Sequence, residues 1–152
     1  MLWRRFVFIG LLFLLLAPLL LSQTTLSADD PNGEPSSFVG MQLEELFARF
    51  GLPGRVYAAR GEEDWQDDVV FVYGEGDFYI YRDRVWQVGI TSIYDIKIGD
   101  AKAVALLSLG GNGRDEGDYL VYNIAGYGWP LSLRINFDGG KVSAMYVYRP
   151  DY

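Results

Sequence analysis

The chain contains neither histidine nor cysteine among its 152 residues. Without imidazole there is no Ser–His–Asp triad and no histidine metal ligand. Without thiols there is no cysteine nucleophile, no zinc–thiolate site, no disulfide and no acyl-cysteine lipid anchor. Lysine is scarce as well: Lys97, Lys102 and Lys141 are the only three, and no serine stands in S-x-x-K spacing with them. No glycine-rich loop runs into a lysine. Gly110-Gly-Asn-Gly113 follows a helical segment instead of opening one, so it reads as a cap and loop.

Carboxylates are the catalytic groups that remain. Their densest cluster is Glu62-Glu-Asp-Trp-Gln-Asp-Asp68. A paired-carboxylate hydrolase needs one acid kept protonated near neutrality, and Trp65 offers an apolar wall for that. A solvated loop before a strand explains the same residues. Their spacing fits no EF-hand loop. Net charge is −7, and removal of Arg4 and Arg5 leaves 11 basic against 20 acidic residues, or −9. Such a surface repels phosphate backbones and anionic lipid, so nucleic acid is not an expected partner.

What is present begins with an apolar leader. Arg4 and Arg5 precede the unbroken run Phe6–Leu21, and small residues follow, with Thr25-Leu-Ser27 or Leu26-Ser-Ala28 as cleavage sites. The 16-residue run spans about 24 Å as a helix, short of a ~30 Å hydrocarbon core. Residues 1–28 are therefore expected to be a signal peptide, with an uncleaved N-terminal anchor as the alternative. Residues 29–37, rich in Pro, Gly and Ser, read as a flexible spacer. The protein is accordingly expected outside the cytoplasm, in the periplasm or cell envelope, and touching a membrane only through that segment.

The remainder reads as two units, residues 38–94 and 95–152. Gly40–Gly51 (GMQLEELFARFG) and Gly99–Gly110 (GDAKAVALLSLG) open and close on glycine at the same spacing. Leu43, Leu46, Phe47 and Phe50 recur at helical intervals in the first, and Gly51 and Pro53 end it. Strands are expected at Val69–Tyr73, Phe78–Tyr81 and Val85–Ile90, then at Tyr119–Ile124, Leu131–Phe137 and Val142–Tyr148. Arg82-Asp83 and Gly139-Gly140 are two-residue hairpin turns. A shift of 57 positions lays Phe78, Ile80, Val85 and Val88 on Ile135, Phe137, Val142 and Met145. The expected fold is α+β: two tandem helix–βββ repeats forming one antiparallel sheet with both helices on one face.

A glycine-initiated helix ending in L/F-G-x-P before a three-stranded meander resembles the SmpA/OmlA (BamE-like) outer-membrane assembly proteins. It is also similar to the β-lactamase inhibitor protein type of fold, built of two such units. The residues that carry the likeness are Gly40, Leu46, Phe47, Phe50, Gly51 and Pro53, then Gly99, Leu106, Leu107 and Gly110. The lipobox cysteine of the assembly proteins is missing, and Asn112 stands where the first unit has Pro53. The resemblance implies an α+β binding module.

If Ile80 pairs with Val85 and Phe137 with Val142, the face away from the helices carries Tyr79, Tyr81, Trp86 and Val88, with Arg134, Asn136 and Met145. Gln87 then falls on the core side, and a one-residue slip would send Trp86 inward. Tyr127 and Trp129 lie in the Gly126–Pro130 loop, as a second aromatic patch or as a lid on the core. Tyr, Trp, Arg and Met are the types that anchor protein interfaces. The expected function is binding of another envelope or outer-membrane protein through this face, without catalysis or cofactor. A glycan-binding module and a small carboxylate hydrolase are the alternatives.

Overall fold

The computed structural model describes residues 34–61, 67–111 and 113–152. The expected signal segment, most of the spacer and the carboxylates of Glu62–Asp64 lie outside the described residues. Among the described residues two α-helices, α1 (Leu43–Phe50) and α2 (Lys102–Ser108), accompany ten strands. These are β1 (Arg55–Ala59), β2 (Asp68–Tyr73), β3 (Gly76–Tyr81), β4 (Arg84–Ile90), β5 (Ser92–Ile93) and β6 (Ile96–Lys97), then β7 (Arg114–Asp115), β8 (Tyr119–Ile124), β9 (Leu131–Asp138) and β10 (Lys141–Tyr148). β5 and β6 form a small hairpin of their own. The other eight make one sheet in the order β1-β2-β3-β4-β10-β9-β8-β7, and every neighbouring pair is antiparallel. The chain is thus α+β, as its sequence pattern indicates.

Helix α1 forms where the periodicity places it. Glu45 reaches back to the Gln42 amide at 2.9 Å, satisfying a donor that the first turn leaves open. Gly51 takes φ +74° and donates to the Phe47 carbonyl, which closes the helix. Leu46 of α1 and Ala105 of α2 are fully buried against one face of the sheet. That face supplies Phe78, Val85, Val88, Leu133, Ile135, Val142, Met145 and Val147 to a single core. Phe78 sits among Phe38, Phe50 and Tyr73, with ring centroids 5.4 to 5.6 Å away.

Two β-bulges set the faces. The β3–β4 register shifts between Tyr79 and Ile80, so Trp86 is an extra residue between Val85 and Gln87. The β9–β10 register shifts likewise at Ser143, between Val142 and Ala144. An added residue breaks the two-residue alternation, so Val85 and Val88 both point to the helices, as do Val142 and Met145. This corrects the expected outer positions of Val88 and Met145, which are 0% and 1% exposed. It also frees Gln87, which pairs with Tyr79 on the outer face.

Two further differences concern the ends of the elements. Pro35–Phe38 forms a 3-10 turn with Ser36 and Phe38 buried, so the folded body starts inside the expected spacer. Strand β1 has no counterpart in the periodic reading, because Arg-Val-Tyr-Ala-Ala alternates too weakly and lies on the sheet edge.

Candidate functional site

The face turned away from α1 and α2 is built from the ladder rows. One row runs Tyr57, Val70, Tyr79, Gln87, Tyr148 and Ser132; the next runs Val72, Asp77, Gly89, Tyr146, Arg134 and Val121. Tyr79 is the hub of the first row. Its ring meets Trp86 edge-on at 6.4 Å and Tyr146 edge-on at 6.2 Å. Val70, between Tyr57 and Tyr79 in the ladder, is completely buried although it lies on this face. Burial, with the neighbouring Tyr146 and Tyr57 hydroxyls, pushes the Tyr79 hydroxyl pKa well above its ordinary value.

Trp86 is held by its indole N–H, which donates to Asp68 Oδ1 at 3.0 Å. Burial raises the Asp68 pKa; the indole bond works against that rise and Asp67 adds to it, and burial wins. Asp67 itself is ion-paired with Arg60. At the edge of the outer face, Tyr81 packs on Tyr152 at 6.0 Å, and Arg149 lies over the Tyr152 and Trp129 rings. On the other half, Arg134 stacks 4.1 Å from the Tyr119 ring centroid and donates to Asn136 at 2.8 Å.

The structure therefore brings Tyr79 and Trp86 together and puts Tyr81, Arg134 and Asn136 on the same face, away from that pair. Met145 is absent from it, buried in the core. Trp129 covers Gly40, whose added Cβ would lie 3.3 Å from the indole, and stays 41% exposed. Tyr127 is elsewhere: its hydroxyl and that of Tyr94 each donate to the Glu34 carboxylate at 3.4 Å. Burial and Glu34 push the Tyr94 pKa up to about 12. Sequence reasoning missed Tyr57, Asp77, Tyr146 and Tyr148 on the outer face. The signal for two of them was there, since Val85/Val88 and Val142/Met145 are three apart, a spacing that only a bulge reconciles with one face.

An open depression of about 350 Å³ lies on this face, around Gly89, between Tyr79, Tyr146 and Asp77. Asp77 accepts a 3.3 Å hydrogen bond from the Tyr57 hydroxyl. No cluster of three or more acidic side chains suited to a metal ion occurs among the described residues.

No protein-family model matches the chain, and no curated protein matches it. Among solved structures it is similar to the 1.5 Å crystal structure of an extracellular protein containing a SCP domain from Bacillus anthracis str. Ames. Identity is 14% and the TM-score 0.48, over 75% of this chain and 45% of that one. The chain thus spans less than half of that protein's length, and a likeness of this degree says nothing of function.

Proposed function

We propose that this is an exported binding module of the cell envelope that holds another protein against the outer face of its sheet. The observation that carries the reading is the row of Tyr and Trp side chains on a face that neither helix covers. Each such ring combines large apolar area with a polar tip, which suits a surface that must be wet when free and dry when bound. Edge-to-face packing sets Trp86 and Tyr146 at 75° and 79° to the Tyr79 ring, so the three rings do not form one flat platform. Sugar stacking needs flat open rings, so a protein partner fits better than a glycan. The apolar leader supports export.

The module is read as two tandem helix–βββ units of the BamE-like kind, joined through β4 and β10. Three matched pairs of hydrogen bonds support this. Gly40 donates to Val85 at 2.7 Å and Gly99 to Val142 at 2.8 Å. Leu43 donates to Asp83 as Lys102 does to Gly140, and Val85 to Met41 as Val142 does to Asp100. The bulges at Trp86 and Ser143 fall 57 positions apart, the same offset as the hairpins.

A photo-crosslinking residue placed at Tyr81 or Arg134, compared in cells with one at Val104 on the helix side, tests the reading. Protein adducts from the two outer positions and none from Val104 are expected. Adducts from all three alike, or from Val104 alone, would overturn it.

A further inference from the structure

We infer that the depression around Gly89 is a subsite for an arginine side chain of the bound partner, an inference that rests on the outer-face reading above. Gly89 marks the place. It is the penultimate residue of β4, with ordinary extended backbone, and an added Cβ would meet Asp77 Cβ at 3.5 Å and Tyr146 Cε1 at 3.6 Å. Both are ordinary contacts. Gly76, the residue before Asp77 in β3, is different, because a Cβ there would lie 2.4 Å from the Gly89 carbonyl oxygen. Packing therefore demands glycine at 76 and does not demand it at 89. A glycine in a strand weakens it and marks a bulge, a bend or a place where another molecule comes close; the β4 bulge is at Trp86, not here, and Gly89 opens onto the hollow.

The walls specify what comes. Asp77 is partly buried, accepts one long bond from Tyr57, and pairs with no lysine or arginine among the described residues. It lines the hollow, and its remaining lone pairs call for a donor. Tyr79 and Tyr146 flank it with π-systems that attract a cation. A carboxylate between aromatic rings suits guanidinium, which is planar, donates in a fork and stacks. Arg134, the cation on the neighbouring strand, is already engaged by Asn136 and the Tyr119 ring. The net charge of −7 favours a basic partner in the same sense.

The test is an NMR titration of the isotope-labelled full chain with N-acetylarginine amide, its neutral citrulline counterpart and its lysine counterpart. Arginine should shift the Gly76 and Gly89 amides saturably and citrulline should not. Asp77→Asn should weaken arginine binding by about tenfold. Gly89→Ala should weaken it without lowering the melting temperature, and it decides the matter if Asp77→Asn does not fold. No saturable shift, equal response to citrulline, or undiminished binding by Asp77→Asn or by folded Gly89→Ala would overturn the subsite. Lysine binding as tightly as arginine would overturn its assignment to guanidinium. Adducts at Tyr81 and Arg134 without an arginine response remove the subsite alone; an arginine response without adducts removes the partner reading alone.

Discussion

The inner and outer faces of the sheet come from the same strands, residue by alternate residue, and differ in what closes them. The inner face is Phe, Val, Leu, Ile and Met, sealed by Leu46, Ala105 and Leu109. The outer face is Tyr, Trp, Gln, Asp and Arg, and among the described residues its own rings close over Val70. Aliphatic groups have no use for water and need a helix to exclude it. A tyrosine can shield a valine and still present its hydroxyl to solvent. The outer face is thus self-roofed at its centre and open around it, at Tyr81, Arg134 and the hollow by Gly89.

Adjacent residues on opposite faces give the sharpest way to break this contrast. Met145→Ala removes a fully buried side chain and should cost about 2–5 kcal/mol. Tyr146→Ala, one residue on, should cost about 1–2 kcal/mol. Urea denaturation at constant m-value measures both. Equal losses would mean that the faces are not energetically distinct.

Trp86→Phe keeps a ring and removes the N–H that Asp68 accepts. It should cost about 1–2 kcal/mol, since a half-buried carboxylate is left short of a donor. A cost near zero would show that the indole bond is not what holds the ring.

Asp68 supplies a pH test on the same contact. Its folded pKa is raised above the ordinary 3.8, chiefly by burial. The folded state therefore binds the proton more tightly, and stability from this group is present below the unfolded value. It is lost as pH rises through the folded pKa. Asp68→Asn should flatten that decline in a series of denaturation curves across the acidic range. An unchanged slope would assign the decline to other carboxylates.

The smallest effect concerns the two hairpin turns at the base of β4 and β10. Arg82 and Asp83 have φ of +48° and +61°, where Gly139 and Gly140 have +55° and +76°. A long side chain in this conformation carries strain that glycine or asparagine avoids. Arg82→Asn should raise stability by up to about 1 kcal/mol, seen as a higher thermal midpoint. Gly139→Ala should lower it by a similar amount.

Most of the framework was legible. The helices α1 and α2 and six strands lie within two residues of the segments that periodicity marks, and Tyr119–Ile124 coincides with β8. The helix signal was strong because Leu43, Leu46, Phe47 and Phe50 recur at helical spacing. The hairpins were legible because Gly139-Gly140 permits positive φ and Arg82-Asp83 leaves room for only two turn residues. The site was half legible. Tyr79, Tyr81, Arg134 and Asn136 follow from simple alternation outside the bulges, whereas Met145 was misplaced by the extra residue at Ser143. Edge strands β1 and β7 escaped because their pattern is short and only one neighbour supports them.

Local chemistry was therefore enough to place both helices and six of the ten described strands, and to decide which chemistries a chain without histidine or cysteine forgoes. Strand order and the central β4–β10 pairing came only from the folded whole. Alternation is a property of neighbours along the chain, while the facing of a side chain depends on the register between strands. One extra residue, taken up across the hairpin by the strand it pairs with, reverses it.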